Sequence, residues 1–224
     1  MAIKVLMRLI VLVSLILAGV TVSAGTPFFD LQTEGSLFGF SGLDIPGANN
    51  DDPSGLGMQQ QMTIPLQFIE NAGQSDNAVR YMIISDGGSI FFNPDGLTFK
   101  LVTNEEESVI SHLAGYRFVG AHPSPEIKGV DRGNGFVNFL VGDDPSQWIT
   151  GIPTFRAIEY QELYPGIDLE FEGTADGLKS TYTVAPGASP DTIVLEYSGI
   201  GEITIGPDGA LHISTGAGEI VESP

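Results

Sequence analysis

The chain has 224 residues and no cysteine, which rules out disulfides, thiolate metal sites and thiol nucleophiles. A domain built from it must rely on its core, on metal or on neighbouring domains. The 28 acidic residues against 9 basic ones give a net charge of −19. Such a surface repels phosphate backbones and anionic lipid, so neither nucleic acid nor a charged membrane is a natural partner.

The first element is an export signal. Lys4 and Arg8 open the chain, an apolar run fills residues 9–22 (LIVLVSLILAGVTV), and the small residues Ser23 and Ala24 close it. A basic start, a short apolar centre and an A-x-A-like end are the three parts of a signal peptide. The run is shorter than the roughly 20 residues of a comfortable bilayer span. The reading is therefore a cleaved signal over residues 1–24, with an uncleaved anchor as the alternative. Either one places the remainder outside the cytoplasm, without further membrane insertion. Cleavage leaves 200 residues, enough for one domain with a real core. With Lys4 and Arg8 gone, 7 basic residues face 28 acidic ones, a net charge of −21.

Residues 25–62 are rich in Gly, Asp, Asn, Ser and Pro and have no period, and read as a flexible leader. The acidic stretch at 49–52 does not have the spacing of an EF-hand loop. From residue 63 to 224 the texture changes to short β-type runs cut by turn residues. The predicted strands are 79–84, 89–92, 97–102, 112–119, 136–141, 154–160, 167–172, 178–184, 192–197, 202–205 and 210–214. In 167–172 (IDLEFE) the apolar residues fall on one face, as for a strand with one side buried and one side wet. Leu178, Ser180, Tyr182 and Val184 form one face of another strand. Asn93-Pro94-Asp95-Gly96, Tyr164-Pro165-Gly166 and Pro207-Asp208-Gly209 are turn sequences. Helix is scarce. The best candidate is a single turn at 144–148, with Asp144 as cap and Pro145 in the first position. Short strands at this spacing predict an all-β fold, an antiparallel, jelly-roll-like β-sandwich.

Six segments in order carry a resemblance: FIENAGQ (68–74), FFNPDGLTF (91–99), YRFVGAHPSPEIKG (116–129), VNFLVGDDPSQWITGIPTF (137–155), YQELYPGIDLEFEG (160–173) and VAPGASPDTIVLEYSG (184–199). They are followed by PDGALHISTGAGEIVESP (207–224). Together they resemble an N-terminal domain, of no established activity, from large bacterial and archaeal cell-surface proteins. In those proteins the domain often precedes SBBP-type β-propeller repeats or PKD-like modules. The resemblance implies a surface or secreted module and no reaction. Members are expected to continue past the last proline, so a chain stopping at Pro224 resembles a fragment lacking its last strands.

The candidate sites are few. Asp143 and Asp144, near Asn138, are a candidate calcium site, since calcium takes several oxygen ligands; no other cofactor is implied. The ordinary alternative is an Asp cap in a solvated loop. Trp148 is expected to plug the core beside the helical turn, and Asn71 to close backbone bonds in a tight loop. Tyr160, Tyr164 and Tyr197 are candidate aromatic platforms for a glycan. His112, His122 and His212 have no metal-ligand spacing, and no nucleophile elbow appears. Asp168, Glu170 and Glu172 share a strand face that alternation points toward water, and Glu105-Glu106-Glu107 reads as an exposed loop. The expectation is a non-catalytic, structural or adhesive extracellular module whose partners are other surface-protein domains or glycans. A carbohydrate-binding module is the alternative and a secreted hydrolase the third reading.

Overall fold

The computed structural model describes residues 3–5, 65–85, 87–105, 108–174 and 177–223. Most of the proposed signal segment and the whole leader at 25–62 lie outside the described residues, as do Glu106 and Glu107. Two antiparallel sheets make the fold, all-β and sandwich-like. The large sheet holds β1 (Ile3–Val5), β2 (Phe68–Glu70), β3 (Tyr81–Ser85), β4 (Gly88–Asn93), β5 (Gly96–Glu105), β6 (Ser108–Phe118), β7 (Glu126–Phe139), β8 (Ile149–Tyr164), β9 (Ile167–Thr174), β10 (Gly177–Val184) and β11 (Leu195–Ser198). Its path runs β1-β10-β9-β8-β2-β3-β4-β5-β6-β11, with β7 paired to β8. The small sheet is β12 (Ile203–Ile205), β13 (Leu211–Thr215) and β14 (Gly218–Glu222), in that order.

Period-2 alternation decides which core each residue joins, because successive side chains of a strand point to opposite faces. In β9 Ile167, Leu169 and Phe171 are buried, and in β10 Leu178, Ser180, Tyr182 and Val184 are, as the alternation predicts. Phe68, Tyr81 and Ile83 enter the main core inside the curl, together with Ile213 and Ile220 of the small sheet. Their chain neighbours Ile69 and Met82 point the other way, into a second cluster with Val79, Val137 and Ile152. The sheet is thus covered on both faces around β2 and β3.

The turns behave locally as their residues dictate. Pro94-Asp95 and Pro165-Gly166 close hairpins, and Gly166 takes a φ of 72° that favours glycine. The predicted helical turn is a 3-10 turn at Pro145–Gln147, capped by the Asp144 carboxylate on the Ser146 N–H. In the FIENAGQ loop, Asn71 Nδ2 donates to the carbonyls of Asp76 (2.8 Å) and Val79 (2.9 Å). Its Oδ1 accepts from the N–H groups of Gly73 and Ser75. One side chain thus stands in for a short piece of ladder, as predicted for it.

Some elements differ from their prediction. β7 and β8 run 14 and 16 residues, far beyond 136–141 and 154–160. The extra length contains Gly129, Gly133, Asp131 and Arg132, which look like loop residues until each strand has the other as its ladder partner. The predicted strand 192–197 starts late, because Pro190–Thr192 folds into a 3-10 turn and only Leu195–Ser198 pairs. β1, β2 and β14 are strands where none was predicted, β1 within the segment read as the export signal. A bulge in β8 between Tyr160 and Tyr164 puts Glu162 at a φ of 48°. The Glu162 N–H donates to Asp168 Oδ1 (2.7 Å), and its carboxylate accepts from the Gly166 N–H. The kink lets two consecutive residues, Leu163 and Tyr164, both turn into the core.

Candidate functional site

The inner face of the large sheet is lined by tyrosines from four different strands: Tyr116 on β6, Tyr160 on β8, Tyr182 on β10 and Tyr197 on β11. Edge-on ring contacts link three of them, Tyr197 to Tyr116 at 5.4 Å between centroids, then through Phe118 to Tyr160 and on to Phe171. Such edge-to-face contacts contribute beyond the area they bury. Each buried phenol needs a polar partner. Tyr160 donates to the Asn93 carbonyl at 3.0 Å, and Tyr164 to that of Val194 at 3.2 Å. Tyr197 donates to Glu222, lying 3.1 Å from both carboxylate oxygens.

Glu222 is the unusual member. It comes from β14 of the small sheet and is only 8% exposed. Among the described residues no lysine, arginine or histidine forms an ion pair with it. Burial pushes its carboxyl up from 4.5 to about 7, against the opposing pull of the Tyr197 hydrogen bond. The phenols answer in kind. Burial raises Tyr116 well above its ordinary value, with the charges of Tyr182 and Glu222 adding to it. Tyr182 and Tyr197 are raised first by burial and then by neighbours that include Glu222. Burial, followed by Asp95, does the same for Tyr160. The site is therefore a proton-holding acid in an aromatic cage, joining the small sheet to the large one. Sequence reasoning passed it over. The signal was there: Ile220 and Glu222 share one face of a strand, so a buried Ile220 carries Glu222 inward.

The residues singled out from the sequence are dispersed. Tyr160 and Tyr164 are fully buried and Tyr197 is half-buried, so they form no exposed platform. Trp148 does not plug the core. It is 37% exposed at the β7–β8 tip, where its Nε1–H donates to the Gly142 carbonyl. That bond satisfies the indole within its own loop, whose residues 141–148 are all exposed. The Asp144 carboxylate is spent on its cap, and the Ser146 hydroxyl and N–H hold it below the usual range. Asn138 Oδ1 is engaged by the Gly151 N–H at 2.8 Å. Among the described residues no group of three or more His, Asp and Glu side chains converges in metal-ligand geometry, at Asp143 and Asp144 or elsewhere. Each histidine has its own local partner: His112 beside Thr103, His122 on the Ser124 N–H, and His212 on Glu219 at 3.1 Å. Asp168, Glu170 and Glu172 stand half-buried on the wetter face of β9, as alternation predicts.

Fold and site together define a curled, antiparallel all-β domain with a tyrosine-lined core and one buried acid. The chain belongs to a family defined by a domain of unknown function, DUF7948, which it matches over residues 68–224. Comparison with curated proteins and with solved structures found no match.

Proposed function

We propose that this domain is a non-catalytic extracellular module of a cell-surface or secreted protein, supporting or displaying neighbouring repeat domains of the SBBP or PKD kind. The observation that carries the reading is how the interior polar groups are used. The hydroxyls of Tyr160, Tyr164 and Tyr197 go to protein acceptors, that of Tyr197 to the buried acid Glu222. A core whose tyrosine hydroxyls at these three positions are held by protein acceptors suits a spacer or display platform. The signal-type segment at 1–24 and the acidic, cysteine-free composition fit residence outside the cytoplasm.

The test is to express the full chain in a bacterium, fractionate the cells and treat intact cells with protease. The expected result is a chain beginning at Gly25, recovered from medium or stripped from the cell surface. Recovery from the cytosol with Met1 in place refutes the reading.

A glycan-binding role keeps one observation in its favour, now at a different place. Phe136 and Trp148 are both exposed near the β7–β8 tip. Because Trp148 is the single tryptophan, its fluorescence reports directly on a sugar stacking there. Saturable quenching by an oligosaccharide supports that role, and unchanged emission across a glycan panel removes it.

A further inference from the structure

Two wings of the large sheet diverge from β8. β7 runs along one edge of β8, from Ile149 to Gln161. β9 and β2 divide the other edge, β9 pairing between Ala157 and Tyr164 and β2 at Thr154 and Phe155. One wing continues from β9 to β10, the other from β2 through β3, β4, β5 and β6 to β11. Side chains from both wings share one core, and Ile213 and Ile220 of the small sheet pack into it.

The small sheet is held differently from the wings. No ladder pairs it with the large sheet. The backbone bonds beside its strands close on themselves, Gly201 with Ser214, Ser214 with Glu202 and Gly206 with Ala210. Its hairpin tip lies close to β6, where a Cβ at Gly216 would collide with the His112 ring. Among the described residues, one pair joins the two sheets by side-chain hydrogen bonding, Tyr197 of β11 and Glu222 of β14.

Glu222 stands where the wings meet. Its charge is felt by Tyr116 and Tyr197, from β6 and β11 of one wing, and by Tyr182, from β10 of the other. These phenols are the titratable groups that face it, and burial keeps each of them protonated at neutral pH. No described lysine, arginine or histidine forms an ion pair with it. An ionised carboxylate there is buried without a countercharge, which is costly, whereas a protonated one is not. Once the small sheet is out of the core, the same carboxyl is in water and ionises freely.

We propose that β12, β13 and β14 form a proton-operated clasp. With Glu222 protonated the small sheet closes over the core the wings share, and with Glu222 ionised it undocks while the wings stay folded. Docked, the carboxyl is raised from 4.5 to about 7. Docking is therefore favoured in full below pH 4.5, and the advantage is lost as pH climbs through about 7. Across that window the undocked share rises about tenfold per pH unit, about 300-fold in all, and then levels. Three short strands without their apolar support are marginal, so undocking bares their amides to water.

Amide hydrogen exchange of the full chain from pH 4.5 to 8.5, corrected for the intrinsic pH dependence of exchange, tests the clasp. The amides of β13 should be less protected than those of β5 and β9 at every pH, and less sensitive to low denaturant, as for a partial opening. Their protection should fall about 300-fold up to pH 7 and then level. Glu222→Gln should abolish the fall. Tyr197→Phe gives an independent reading: the Tyr197 bond opposes the rise of the carboxyl, so its loss should move the levelling to higher pH. If β13 matches β5 and β9 in protection and in denaturant sensitivity, the opening is global and the clasp is refuted. Protection of β13 that does not change with pH also refutes it. A fall that persists in Glu222→Gln overturns the assignment to Glu222, because that variant keeps His112 beside Gly216 and His212 paired with Glu219.

Discussion

Replacing Glu222 by Gln tests the buried acid directly. The carboxyl is raised from 4.5 to about 7 by burial, so the folded state prefers its protonated form. A raised folded-state value means that its stabilising contribution is complete below pH 4.5 and is lost as pH climbs through about 7. At about 1.4 kcal/mol per pH unit, the window is worth about 3 kcal/mol. Glutamine keeps an uncharged acceptor for the Tyr197 hydroxyl and cannot ionise. Chemical unfolding followed by circular dichroism from pH 4.5 to 8.5 is the assay. Wild type should lose about 3 kcal/mol more than the variant across that range. The two should match near pH 4.5, and Glu222→Gln should be the more stable near pH 8. In thermal melts a difference of that size is about 6–12 °C for a domain of this length. Comparing the two proteins cancels the repulsion of the acidic shell and the histidine titrations, which they share. Parallel stability curves for the two proteins from pH 5 to 8 would refute the reasoning, because Glu222 would then be solvated.

Three further substitutions test the packing. Asn71→Ala removes the amide's donated bonds to Ser75, Asp76 and Val79 and its two accepted ones, and should cost about 2–3 kcal/mol in chemical unfolding, while Asn71→Asp, which keeps the acceptors, falls between it and wild type. Gly173→Ala drives a methyl into the Leu66 carbonyl and should cost about 1–3 kcal/mol; an unchanged melting curve would mean that the contact at Leu66 is loose. Trp148→Ala should change stability by only about 0.5 kcal/mol or less, as for a surface side chain. A loss of several kcal/mol there would restore Trp148 to the core.

Much of the fold was legible from local rules. Alternation in 167–172 and 178–184 placed the buried faces of β9 and β10, because a strand's period of two is a property of the backbone. The Asp144 cap, the Pro94 and Pro165 turns and the closing role of Asn71 are bonds made within a few residues, so neighbouring sequence suffices to predict them. The site was less legible. A tyrosine is apolar in body and polar at its tip, so its pattern fits a wet platform and a hydrogen-bonded core equally well. Tyr160 and Tyr164 went inward because Asn93 and Val194, 67 and 30 residues away, offer them carbonyls.

The sequence by itself determined the β class, the strand faces, the turns and the caps, each of which depends on contacts a few residues apart. Only the tertiary structure decided the lengths of β7 and β8, the outward Trp148 and the burial of Glu222 against Tyr197. Those depend on which surfaces meet across the curl and between the sheets. The position of Glu222 on its strand face was readable. What lies opposite that face, and so whether the acid keeps its proton, is a matter of long-range packing that no local pattern encodes.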